Sequence, residues 1–342
     1  MTDNLMRAGE PPAACLNVRG LTIIARATGK ILVEDVSFSV PAGEAVALIG
    51  ESGSGKSLTA LAVLGLLPSS VEMISGSVLL DGIDITGLRG SASELRGREI
   101  AVIFQDPQSC LDPRWTIGRY LTGQFQRLRN LGTRSATAEA HAMLERVGLA
   151  NPKRIMGCYP HELSGGMAQR VMIAGALAGG PRILIADEPT TALDVTTQAQ
   201  ILDLLADLRS QNDLALLMIT HDLGVVADTS DRMLVLYGGR VMEAGCTGLL
   251  MEAPSHPYTR ALLAAMPDIE TSTPPQPISG TPGRPEEDNC CPFHLRCDFA
   301  AAACRDTSPV FRTTPDGRRG SACHLETSDH LEQRLAAHRG QG

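Results

Sequence analysis

The sequence predicts an α/β layer fold, and three observations carry that prediction. Apolar runs of strand length recur at residues 45–50 (AVALIG), 183–189 (ILIADEP) and 214–220 (LALLMIT). Stretches of helical character lie between them, at 57–68 (SLTALAVLGLLP) and 199–210 (AQILDLLADLRS). A glycine loop, Gly50 to Gly55, sits between the first run and the first helical stretch. Strands alternating with helices around such a loop indicate stacked α and β layers.

Taken in order, residues 16–49 read as strand-rich. In LVEDVSFSV the side chains of Val36, Phe38 and Val40 share one face, as period-two alternation requires. Pro41-Ala42-Gly43-Glu44 reads as a turn. The helix after the glycine loop is expected to stop at Pro68. SGSVLLDGIDIT, 75–86, reads as a hairpin turning at Asp81-Gly82. Residues 116–150 are rich in Ala, Leu, Arg and Glu at helical spacing. From 271 to 289 the composition turns to Pro, Ser, Thr and Gly, which reads as a linker or extended excursion. The last stretch, HLEQRLAAHRGQG, reads as a frayed helix.

Bulk composition bounds the function. Aromatics are 3% of 342 residues, so Leu, Val, Ile and Ala must build the core. A net charge of −8 and the absence of a basic stripe argue against a general nucleic-acid binder. No run approaches the roughly 18 apolar residues of a spanning helix, and the N-terminus lacks an apolar signal core. A cytosolic location is expected, with docking on a membrane protein left open. Nine cysteines are many for such a compartment, and five lie between Cys290 and Cys323.

The chemistry begins at Gly50-Glu51-Ser52-Gly53-Ser54-Gly55-Lys56-Ser57, followed by Leu58. This is the P-loop pattern in its proper setting, strand before and helix after. Glycines let the backbone wrap phosphates, Lys56 reaches the β and γ phosphates, and the Ser57 hydroxyl suits Mg²⁺. Asp187 and Glu188 end an apolar run, where Asp187 suits Mg²⁺ and Glu188 suits polarising an attacking water. Read alone, they are equally well solvated strand-end carboxylates. Gln105 and His221 also close strand-like runs. Taken singly, a surface glutamine and a structural histidine are the more common outcomes. Ser164-Gly165-Gly166, in LSGGMAQR, reads as a second anion cradle at a helix start.

As an ordered set these pieces resemble an ABC-transporter ATP-binding subunit. GESGSGKS looks like Walker A, Gln105 the Q-loop, LSGGMAQR the ABC signature, LIADE Walker B, Thr191 to Asp194 the D-loop, and His221 the switch histidine. YPHELSGGM, QDPQSCLDP, ADEPTTALDVTTQAQIL and HPYT (256–259) are similar to the dipeptide, oligopeptide and nickel importers. The resemblance implies a P-loop NTPase of the ABC type: a RecA-like core, an antiparallel β subdomain and a helical subdomain at about 106–165. It places the nucleotide-binding domain at 14–265, and a Pro-rich linker with a cysteine-containing extension at 266–342.

By the same resemblance, Gly50 to Leu58 bind ATP, and Ser57, Gln105 and Asp187 arrange Mg²⁺. Glu188 is the general base, with Lys56 and His221 completing the catalytic set. Ser164, Gly165 and Gly166 close over ATP held by a partner. Met167 resembles the first of two ATPase subunits, which implies a heterodimer. The other implied partners are two transmembrane permease subunits and, indirectly, an extracellular solute-binding protein, at the cytoplasmic face of the inner membrane and without nucleic acid. Cargo selectivity would reside in those partners.

This sequence departs from the family's pattern in two places. Residues 15–37 contain no Phe, Tyr or Trp to stack on adenine, which leaves aliphatics such as Ile31 or Leu32. Ala168 stands where a long polar residue is common. Two other classes compete: a soluble ABC ATPase of DNA repair or translation, and a non-hydrolysing regulatory subunit. A single cassette without a coiled coil opposes the first; Glu188 and His221 oppose the second.

Cys291, Cys297, Cys304 and Cys323 remain. They lack the close Cys-x₂₋₄-Cys pair usual for structural zinc. The family's similar C-terminal pattern implies a [4Fe-4S] cluster on these four, with zinc and buried thiols as alternatives. Cys290, Cys15, Cys110, Cys158 and Cys246 read as small apolar residues.

Overall fold

The computed structural model describes residues 14–86, 92–191, 193–266, 276–285 and 289–325. The expected terminal helix, and parts of the expected linker, lie outside the described residues. Twelve strands occur among those described. They are β1 (Ala14–Ala25), β2 (Ile31–Pro41), β3 (Ala45–Ile49), β4 (Val71–Leu80), β5 (Ile83–Asp84), β6 (Ile100–Ile103), β7 (Ile183–Asp187), β8 (Ala215–Ile219), β9 (Arg232–Tyr237), β10 (Arg240–Cys246), β11 (Arg312–Thr313) and β12 (Arg319–Ser321). The chain divides into two compact units, one of residues 1–39, 46–84 and 220–342, the other of 40–45 and 85–219.

In the first unit, β2-β1-β4-β5 form a four-stranded sheet. The expected hairpin is present: Leu80 pairs with Ile83 across Asp81 and Gly82. Both turn residues have positive φ, 48° and 80°, which suits the right-handed twist of the flanking strands. Strand β4 begins four residues before the SGSV stretch, at Val71. In β2 the buried residues are Val33, Val36, Phe38, Ser39, Val40 and Pro41. Asp35, at φ 48°, shifts the alternation by one so that Val33 and Val36 both face inward. The helix Lys56–Val63 ends well before Pro68. Gly65, at φ 60°, supplies the left-handed exit there.

The same unit carries the strand run β11-β12-β10-β9-β3, antiparallel except for the parallel β9·β3 pair. Its core joins Ile49, Val235, Tyr237 and Met242 to Tyr258, Cys291, Phe293 and Cys304. Residues beyond the Pro-rich stretch thus complete this core. Tyr237, Tyr258 and Phe293 pack as three rings, with centroids 4.7 to 5.2 Å apart.

The second unit carries β8, β7 and β6 as neighbouring parallel strands. Strand β8 is buried throughout, as expected of an apolar run covered on both faces. The helices Ile117–Arg129, Thr133–Arg146, Pro152–Gly157 and Gly165–Leu177 follow β6. Ile117, Leu121, Phe125, Ala136, Ala140 and Leu144 are fully buried among them. The helix Val195–Asn212 is longer than AQILDLLADLRS. Asp194 caps it, accepting from Thr197 N at 3.0 Å and Thr197 Oγ1 at 2.7 Å.

Candidate nucleotide site

The first unit holds the loop after β3. Gly50, Gly53 and Gly55 all have positive φ. A Cβ on Gly50 would stand 2.1 Å from the Leu236 carbonyl oxygen, so only glycine lets the loop lie against β9. Lys56 is buried, and its ammonium donates to Gly50 O at 2.7 Å and Glu51 O at 3.0 Å. The helix Lys56–Val63 begins at Gly55 without a side-chain cap. A buried cation, a glycine cradle and the positive end of a helix dipole together fit a phosphate chain. Ser52 and Ser57 are exposed, Ser54 is buried and Leu58 is half-buried. His221 is exposed, just before the helix Leu223–Thr229. Ile31 and Leu32 are half-buried in β2.

The second unit holds the carboxylates. Asp187 ends β7 and is half-buried. Glu188 follows at φ 49°, its backbone N–H donating to Ile219 O at 2.8 Å. Its Oε2 accepts from Gln105 Nε2 at 2.9 Å and from Thr191 Oγ1 at 3.0 Å. The structure thus joins Gln105 to Glu188, 83 residues apart. Ser164 and Gly165 are exposed at the start of the helix Gly165–Leu177. Ser164 caps that helix, accepting from Met167 N at 3.3 Å. A Cβ on Gly166 would meet Thr197 Cγ2 at 2.5 Å. Gln169, buried in the same helix, donates to Pro189 O at 2.7 Å. That bond ties the LSGGMAQR segment to the residue after Glu188.

The sequence assigns no role to Thr191, Gln169, Tyr258 or Arg296, of which the last two contact Glu51 of the glycine loop. Thr191 and Gln169 lay within quoted motifs but carried no assigned role. Tyr258 donates no local signal beyond HPYT, and Arg296 had none.

Two models of known families match. One, described as ABC transporter, covers residues 33–191. The other, oligopeptide/dipeptide transporter, C-terminal region, covers 242–304. A peptide import ATP-binding protein of Brucella melitensis is 42% identical over 323 residues, 91% of this chain and 95% of that protein. The chain belongs to the ABC transporter family. The dipeptide transport ATP-binding protein DppD of Escherichia coli is 41% identical over 302 residues, 87% of this chain and 91% of that protein. Among solved structures, cbiO1 of Clostridium perfringens aligns with this ABC ATPase at TM-score 0.62 and 26% identity, over 70% of this chain and 92% of that one. A dimeric ATP-binding cassette, MJ0796, in a post-hydrolysis state with ADP and Pi, aligns at TM-score 0.60 and 28% identity, over 68% and 98%. ATP and Mg²⁺ are accordingly the substrate and metal of this ABC ATPase.

The [4Fe-4S] expectation finds no support among the described residues. Among the described residues no group of three or more His, Cys, Asp or Glu side chains is placed to hold a metal ion. Cys291 and Cys304 are buried in the apolar cluster around Phe293, and Cys297 packs against it. Cys291 N–H donates to Cys304 O at 2.8 Å, so these two are backbone neighbours. Burial, with a smaller contribution from the neighbouring cysteines, pushes the Cys291 and Cys297 thiols up to about 12 and also raises Cys323. Neither iron–sulfur nor zinc is supported at Cys291, Cys297, Cys304 and Cys323. Cys110 differs from expectation too, being exposed, whereas Cys15 and Cys290 are buried.

Proposed function

We propose that this ABC ATPase energises the import of di- or oligopeptides, or related small solutes, through partner permease subunits. One observation carries the reading: relatives named for peptide import match the chain nearly end to end, its C-terminal region included. DNA repair and translation have no comparable support. Among the described residues no helix is long and apolar enough to cross a membrane, and in this reading the solute's path is formed by other chains. The chain works at the cytoplasmic face of the inner membrane, paired with a second ATPase subunit. Two permeases meet its helical region at about 106–165, and a solute-binding protein delivers cargo from outside.

The residues have definite tasks in this reading. Gly50 to Leu58 wrap the triphosphate, and Lys56 leaves its loop carbonyls for the phosphate oxygens. Ser57, Gln105 and Asp187 would hold Mg²⁺, which neutralises charge developing on the phosphates. Glu188 orients and deprotonates the attacking water, and Thr191 holds its carboxylate in place. His221 donates to the γ-phosphate. Because Gln105 bonds Glu188, a shift of the helical region through Gln105 changes the base directly. Ser164, Gly165 and Gly166 complete the site of the partner ATPase.

The test replaces Glu188 with Gln. In a strain whose own peptide importers are deleted, the parent operon should restore labelled-dipeptide uptake. Glu188→Gln should abolish uptake and lower purified-complex turnover about 100-fold or more, with ATP still bound. Restored uptake by the variant would sink the assignment of Glu188. Parent ATPase activity without uptake of any peptide would sink the cargo assignment.

A further inference from the structure

A carboxylate inside a phosphate cradle is an electrostatic problem. Glu51 is the second residue of the glycine loop, and its charge opposes a triphosphate unless something neutralises it. The neutralising group comes from 245 positions away. Arg296 N–H groups donate to Glu51 Oε2 at 2.5 Å and Oε1 at 3.1 Å, a bidentate pair. Its other donors are also used. Nε reaches Ser279 O at 2.8 Å, while the terminal nitrogens reach Ile278 O and Tyr237 Oη, each at 3.3 Å. All five guanidinium N–H groups therefore have partners, and the side chain is 3% exposed. A second tether comes from the HPYT segment, where Tyr258 Oη accepts from Glu51 N at 3.0 Å.

We propose that Arg296 is a positioning residue for ATP binding. It cancels the Glu51 charge and turns that side chain toward the C-terminal segment, so the cradle presents a net cation to the phosphates. The C-terminal segment thereby sets nucleotide affinity. Arginine suits this task better than lysine, because its fixed fork matches the carboxylate while the remaining N–H groups hold two backbone carbonyls. The proposal rests on the ATPase reading, and the experiment separates the two.

The full-length chain is titrated with mant-ATP and Mg²⁺, alongside thermal melting. Arg296→Gln leaves the carboxylate facing the phosphates, and affinity should fall about tenfold, less at high salt. Glu51→Gln leaves Arg296 as an unopposed cation and should tighten binding at least about twofold. Removing both charges together should restore affinity to within about threefold of the parent. A purely structural role for Arg296 gives no such rescue. The proposal is overturned if the double variant binds no better than Arg296→Gln, or if Arg296→Gln binds like the parent. Should Arg296→Gln fail to fold, Glu51→Gln decides alone, and unchanged or weaker binding overturns the proposal. A parent chain that does not bind mant-ATP refutes the ATPase reading itself.

Discussion

At the scale of single residues, His256 shows how burial sets a charge state. It caps the helix Pro257–Ala264, and its Nδ1 accepts from Tyr258 N at 3.0 Å. Burial lowers its pKa from 6.5 to about 3, against the opposing effect of a backbone hydrogen bond with Ala322. Between those values the unfolded chain binds a proton that the folded chain refuses. Stability is therefore complete above about pH 6.5 and declines as the pH falls toward 3. The neighbouring Glu243 acts with the opposite sign. Burial raises its pKa, so its contribution is present below 4.5 and fades as pH rises through the folded value. Its carboxylate accepts from Ser255 N at 2.6 Å and His256 N at 3.1 Å. Urea melts at pH 7, 6 and 5 should show the decline assigned to His256. His256→Asn retains a capping oxygen and removes the proton site. It should flatten the slope by about 1 kcal/mol per pH unit; an unchanged slope would place the titration elsewhere. Part of the candidate site is legible in the sequence because its signal is local: Gly50 to Ser57 fit a pattern between a strand and a helix. The Gln105–Glu188 and Arg296–Glu51 pairs are not, because pairing across 83 and 245 positions leaves no periodicity to read.

At the scale of elements, β7 and β8 were legible because parallel strands buried on both faces read as continuous apolar runs. The short β11 and β12 were not. Two and three residues cannot establish an alternation, and β12 forms by pairing with β10. In the helix Gly165–Leu177 the proposed role falls on the exposed start, not on the buried body. Its body is buried through Ala168, Val171, Met172 and Ile173, while Ser164 and Gly165 are exposed at its start. Exposed backbone N–H groups there suit the phosphate of a neighbour's nucleotide. Ser164→Arg places a long side chain over that end and removes a cap worth about 1 kcal/mol, too little to unfold the chain. The variant should bind mant-ATP within about twofold of the parent, whereas turnover in the assembled complex should fall at least about tenfold. Ser164→Ala, which loses the cap alone, should keep most turnover. Loss of mant-ATP binding by Ser164→Arg would show that this helix start serves the chain's own nucleotide.

At the scale of the whole molecule, composition divides the sequence at the Pro-rich stretch, but packing within the first unit runs through that division. Cys291, Phe293 and Cys304 belong to the same apolar cluster as Ile49, Val235 and Tyr237. The clue was present in the apolar Cys290, Cys291, Pro292 and Phe293 that follow a polar segment. It is weak because four residues carry no strand or helix period. Phe293 is 2% exposed, and its ring centroid lies 5.2 Å from Tyr237 and 5.1 Å from Tyr258. Truncating it empties space between two rings fixed by separate elements, which cannot collapse without moving β9 or the HPYT helix. Phe293→Ala should therefore cost about 3–5 kcal/mol in urea unfolding. Leu295, two positions on, is 75% exposed, and Leu295→Ala should fall within about 0.5 kcal/mol of the parent. Because Tyr258 holds Glu51 N, the Phe293 cavity should also loosen the glycine loop and weaken mant-ATP binding below the melting range, while Leu295→Ala leaves it unchanged. If Phe293→Ala costs under 1 kcal/mol and binds nucleotide normally, the C-terminal segment rests on a core that is complete without it.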